Sequence, residues 1–73
     1  MKKTVTISTE YIRLDALLKL SGMTMTGGEA KSVIQTGKVT VDGDVCLMRG
    51  KKIRPGQTVV YRGETIIVEG DAT

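Results

Sequence analysis

The sequence predicts an α+β domain in which a two-helix motif packs on a small, mostly antiparallel sheet. Helical spacing of apolar residues is confined to the first half of the chain. After Gly37 short runs alternate polar and apolar residues, and turn dipeptides separate those runs. With 73 residues the chain suits a single domain over 1–73.

Thr4-Val5-Thr6-Ile7-Ser8 alternates polar and apolar, as an edge strand does. From Ile12 the period changes. Leu14, Leu17 and Leu18 share one helical face, with Leu20 extending it, and Ser21-Gly22 offers a glycine stop, so the first helix is expected over Arg13 to Leu20. Thr26-Gly27-Gly28-Glu29 fits a capping box, in which the Thr26 hydroxyl accepts from first-turn amides and Glu29 reaches back. Ala30, Val33 and Ile34 then form the inner face of a second helix that Gly37 ends, and Met23 or Met25 folds back into the core from the short connection.

Lys38 to Val41 reads as a strand, Asp42-Gly43 as a tight turn and Asp44-Val45 as the start of a return strand. Cys46 to Ile53 has no clear periodicity. Arg54-Pro55-Gly56 is a turn, and Gln57 to Tyr61 and Thr65 to Glu69 are strands joined around Arg62-Gly63-Glu64. The expected core is Leu14, Leu17, Leu18, Ala30, Val33, Ile34, Val39, Val41, Val59 and Ile67.

Composition removes several function classes. There is no His, Trp or Phe, and Cys46 is the only cysteine. An intramolecular disulfide framework, a zinc site of Cys and His ligands, and histidine-based catalysis therefore fall away within one chain. Two tyrosines are too few for a nucleic-acid reader built on rows of stacked aromatics. No apolar run approaches the roughly 20 residues of a membrane span. The basic start Lys2-Lys3 leads into Thr4, Thr6, Ser8, Thr9 and Glu10 rather than an apolar leader, so the expected location is cytoplasmic. Cys46 reads as a small packing residue.

The formal charge of +3 hides a more basic body. Residues 1–62 hold all 11 basic residues against five acidic ones, a net +6, and residues 63–73 hold Glu64, Glu69 and Asp71, a net −3. The densest stretch is Arg49-Gly50-Lys51-Lys52-Ile53-Arg54, four cations in six residues. Such a run fits a polyanion-binding loop, and equally a solvated turn. Lys31 and Gln35 lie four apart on the second helix, roughly opposite its apolar face, and Lys38 follows its glycine stop. Those residues form either a basic ridge or an ordinary exposed helix face. Gly27 and Gly28 are poor first-turn residues, costing about 1 kcal/mol each relative to Ala. They would let a phosphate approach free helix amides; the plainer alternative is that one glycine eases the turn.

Arg13-Leu14-Asp15, Leu18, Gly22, Glu29-Ala30-Lys31, Ile34, Gly37, Val39, Val41, Gly43 and Pro55-Gly56, in that order and spacing, resemble the S4 RNA-binding domain family. The pattern runs from Arg13 to Val59 without a gap, and the chain looks most like small stand-alone bacterial members of the YaaA type. The resemblance implies the αL arrangement and non-catalytic binding of structured RNA, ribosomal or ribosome-associated, with the ribosome itself a possible partner. It implies no cofactor, small-molecule substrate or membrane. The expected RNA-binding residues are Arg13, Gly27, Gly28, Lys31, Gln35, Lys38, Arg49, Lys51, Lys52 and Arg54. The sequence departs from the family pattern at Gly27, where many members have Arg, at Asp42, where Asn is usual, and at Gln57, where Asp is common. Asp42 is expected to set a negative charge near the RNA surface, and Gln57 to be a turn variation alone. The competing expectation is a small protein–protein adaptor whose acidic tail docks on a basic partner.

Overall fold

A computed structural model describes residues 2–71; residues 1, 72 and 73 of the expected 1–73 domain lie outside it. Along the chain run β1 (Lys2–Ile7), β2 (Ile12–Arg13), α1 (Leu14–Leu20), α2 (Gly27–Gln35), β3 (Val39–Val41), β4 (Asp44–Val45), β5 (Lys52–Ile53), β6 (Thr58–Tyr61) and β7 (Glu64–Gly70). The expected α+β class holds. Arg13 is not the first residue of α1 but its extended N-cap, because its backbone pairs with Lys52 in the β2–β5 ribbon.

The two helices stop in the same way. Gly22 and Gly37 take φ of 81° and 79°, a left-handed conformation that costs glycine little. Each is flanked by paired bonds back into the last turn: Met23 N to Leu18 O and Gly22 N to Lys19 O in α1, Lys38 N to Val33 O and Gly37 N to Ile34 O in α2. The first of these turns sends Met23 onto the core, whereas Met25 is 81% exposed.

Five strands form one sheet in the order β1-β7-β6-β3-β4, antiparallel except for β1 beside β7. Asp42-Gly43 and Arg62-Gly63 close the β3–β4 and β6–β7 hairpins with positive φ at both residues, the turn whose twist matches paired strands. Leu14, Leu17 and Leu18 of α1 and Ala30 and Ile34 of α2 pack on Val39, Val41, Val59, Tyr61, Ile66 and Val68, with Ile53 and Ile7 closing the core.

Two core expectations, and the reading of Leu20 as part of the apolar helix face, need correction. Ile67 is half-buried, and Ile66 and Val68 point inward instead, because β7 alternates about them. Val33 is half-buried at the core edge. Leu20 is largely exposed, since α1 ends as it reaches the surface. Among the described residues no helix is long and apolar enough to cross a membrane.

Candidate functional site

The unassigned stretch after Cys46 is fastened to the start of α1. Leu14 N donates to Lys51 O at 2.9 Å and Asp15 N to Arg49 O at 3.1 Å, so loop carbonyls take two of the helix's free first-turn amides. The same contact aligns β2 with β5, placing Ile12 opposite Ile53 and Arg13 opposite Lys52. Ile53 is buried and Ile12 half-buried. Alternation therefore sends Arg13 and Lys52 outward side by side, with Cβ atoms about 4.5–5.5 Å apart for directly opposed residues. Like charges so placed repel each other, and an anion lying between them relieves that repulsion.

Each of the two cations is steadied locally. An Nη of Arg13 donates to an Asp15 carboxylate oxygen at 3.2 Å, and the other oxygen of Asp15 accepts from Ala16 N at 2.8 Å. A Cβ placed on Gly50 would lie 3.7 Å from that guanidinium, so the loop backbone runs alongside it. Lys52 Nζ sits 4.9 Å from the centroid of the Tyr11 ring, a cation–π contact. Sequence reasoning did not single out Tyr11; an aromatic two residues before Arg13 was the available signal.

The remaining loop cations diverge. Lys51 lines a depression on the β3–β4 side, and its charge acts on Asp42. Arg54 faces Glu10 at 4.0 Å, and with both side chains mostly in solvent that pair contributes little.

Thr26 Oγ1 accepts from Glu29 N at 3.1 Å, as a capping box requires. Glu29 reaches one residue further than expected, accepting from Met25 N at 3.0 Å rather than from Thr26 N. Packing asks for glycine at neither Gly27 nor Gly28: an added Cβ meets nothing within 4 Å at the first and only Thr26 Oγ1, at 3.9 Å, at the second. Gly27 lines a shallow depression of about 290 Å³ together with Arg13, Asp15, Ala16 and Lys19. Lys19, exposed on α1, adds a further cation to this depression.

Lys31, Gln35 and Lys38 are exposed on α2 and just beyond it. The helix meets the loop cluster at both ends. Gly27 shares the depression with Arg13, and Gly37 lies against Leu47 and Val45, within 3.8 Å of a Cβ built there. The loop thus starts against the end of α2 and finishes against the start of α1.

Asp42 does not present a loose charge to this surface. Its Oδ1 accepts from Thr58 N at 2.9 Å and its Oδ2 from Gln57 Nε2 at 3.0 Å. The Thr58 amide first, then the Gln57 amide and the Lys51 charge, hold the carboxyl below its usual range. Gln57 is more than a turn variation, because its Oε1 also accepts from Arg54 N at 2.8 Å. Among the described residues no cluster of His, Cys, Asp or Glu has the makings of a metal site.

Two helices joined at right spacing to a loop that returns to the first helix define the αL class of small binding domain. A family model described as the S4 domain matches residues 5–69, and the chain belongs to that family. It is 41% identical over 58 residues to YbcJ of Escherichia coli, a candidate RNA-binding protein, covering 80% of this chain and 83% of that one. YbcJ of Shigella flexneri gives the same figures. The solution structure of Escherichia coli YbcJ, described as revealing an αL motif involved in RNA binding, matches with a TM-score of 0.68 at 35% identity. That match covers 93% of this chain and 85% of the other.

Proposed function

We propose that this chain is a non-catalytic module that binds structured RNA, either ribosomal RNA or RNA associated with the ribosome. Phosphate contacts would come first from Arg13 and Lys52, side by side on the β2–β5 ribbon, with Arg49, Lys51 and Arg54 spread around the same loop. Along α2, Lys31, Gln35, Lys38 and the amides of Gly27 and Gly28 would supply the rest. The observation that carries the reading is the register that sets Arg13 opposite Lys52 while the carbonyls of Arg49 and Lys51 cap α1. A cationic loop held in place by backbone bonds meets a phosphate with little ordering left to do.

The αL motif of YbcJ, involved in RNA binding, supports the same reading for a chain of the same family. RNA duplexes are gripped mainly by shape, through phosphates and 2′-hydroxyls across the shallow groove, and a short basic face suits that mode. The family and its relative point to a binding module rather than an enzyme.

The test is anisotropy of a labelled, folded ribosomal RNA fragment titrated with protein between about 50 and 200 mM salt. Affinity should fall steeply and linearly on logarithmic axes. Equal affinity at both ends of that range overturns the mechanism. A protein partner that survives nuclease treatment, with no RNA bound, supports an adaptor instead.

A further inference from the structure

Three large apolar side chains stand exposed within four consecutive positions: Val45 at 60%, Leu47 at 56% and Met48 at 67%. They line a shallow depression of about 370 Å³ together with the polar residues Asp42, Asp44, Lys51 and Gln57. We propose that this depression receives one unpaired nucleobase, guanine by preference, from an RNA lying on the basic face. The inference rests on the RNA reading above and names the class of RNA: a helix interrupted by an unpaired nucleotide.

The apolar wall and the cations belong to one turn. Met48 directly precedes Arg49, and Lys51 N donates to Met48 O at 3.1 Å, which closes the loop between them. A regular duplex offers this loop phosphates and sugars, and neither covers an apolar side chain. An extruded base does, because it presents a flat face that stacks or packs on apolar and sulfur-bearing groups.

The polar lining narrows the choice of base. The carboxylate of Asp42 is engaged by Gln57 and Thr58, whereas the side chain of Asp44 makes no hydrogen bond or ion pair among the described residues. The exposed carboxylate repels phosphate, and a group packed beside it gains by presenting N–H donors. The Watson–Crick edge of guanine presents two adjacent ones, matched to the two oxygens of a carboxylate. Lys51, which lines the same depression, is placed to take the phosphate of that nucleotide. A bound peptide strand along the short edge strand β4 is the other occupant to consider. The base is favoured because Lys51 lines the depression and Arg49 directly follows Met48.

The experiment compares one RNA stem in three forms: fully paired, with a single bulged guanosine, and with a single bulged uridine. Wild-type protein should bind the guanosine form about tenfold tighter than the paired stem, the scale of removing about 50 Å² of apolar surface from water. The double variant V45T/M48S changes only exposed side chains; its fold is checked by circular dichroism. It should bind all three stems alike, with an unchanged salt slope because no cation is lost. Asp44→Asn should lower the preference for guanosine over uridine.

If wild type binds bulged and paired stems equally, or V45T/M48S keeps the preference, the base pocket is wrong while the RNA reading stands. No binding to any stem overturns both. Sedimentation of a wild-type dimer that V45T/M48S turns into a monomer would mark the patch as a protein interface and overturn the pocket.

Discussion

Gln57 donates from Nε2 to a carboxylate oxygen of Asp42 at 3.0 Å, tying the β3–β4 turn to the turn around Pro55. The other end of the Gln57 amide accepts from Arg54 N, and the other oxygen of Asp42 accepts from Thr58 N. Two departures from the usual S4 pattern are therefore one feature. With Asn at 42 and Asp at 57, the donor and the acceptor would simply exchange places. Here the carboxylate sits at a left-handed position, φ 50°, where its short side chain reaches the backbone of β6.

This arrangement predicts an acid-sensitive contribution to stability. The folded-state pKa of Asp42 is lowered from 3.8, chiefly by the Thr58 amide and then by Gln57. The ionised form is thus favoured by folding. Its contribution is complete above the unfolded value of 3.8 and is lost as pH falls through the lower folded value. Asp42→Asn keeps the left-handed turn but has one acceptor oxygen where two bonds are now accepted. Urea midpoints measured from pH 7 downward should show a less stable variant at neutral pH, with the gap to wild type closing in acid. Parallel curves at all pH values would show that Asp42 is not held as an anion by its partners.

The inward phase of β7 predicts an asymmetry between adjacent isoleucines. Ile66, on the strand between β6 and β1, is fully buried in the core, whereas Ile67 is only half-buried. Ile66→Ala should cost about 2–5 kcal/mol, since the cavity adds to the lost transfer energy. Ile67→Thr preserves the β-branch and should cost less than about 1 kcal/mol. Urea denaturation of both variants checks the ranking, and a larger loss at Ile67 would mean that the strand packs in the opposite phase.

That phase was hidden in the sequence for a physical reason. Ile66, Ile67 and Val68 form an unbroken apolar run, and a period of two cannot be read where every residue is apolar. The helices were legible because capping at Thr26 and glycine stops at 22 and 37 are local chemistry. The hairpins were legible because Asp42-Gly43 and Gly63 mark their turns. Pairing of β1 with β7 joins opposite ends of the chain and leaves no local trace. Within the site, charge counting found the cations but not their directions. Lys52 turns to Tyr11 and Lys51 to Asp42, which follows from the Arg13–Lys52 register and the carbonyls that cap α1.

Replacing Gly28 weighs stability against the proposed binding role. A methyl group there meets only Thr26 Oγ1 at 3.9 Å, so Gly28→Ala creates no clash and recovers helix propensity. The expected gain is about 0.5–1 kcal/mol, seen as a higher unfolding midpoint. If the first-turn amides of α2 approach a phosphate, the same methyl should weaken RNA binding severalfold. Stabilisation with unchanged RNA affinity would assign the glycine pair to the turn alone and remove it from the interface.

Lys31 and Lys52 sit on different elements, one on the exposed side of α2 and one on the loop ribbon, so they test whether one surface does the binding. Each is exposed, and replacing either with Ala leaves the core untouched. A lysine that neutralises one phosphate releases about one condensed counterion. Each single variant should therefore weaken binding to unrelated folded RNAs by a similar factor and lower the magnitude of the salt slope by roughly one. The double variant should lower it by roughly two, because well-separated phosphate contacts add. A slope that responds to Lys52 but not to Lys31 would confine the contact to the loop side of the molecule, and the α2 ridge would then be an ordinary solvated helix face.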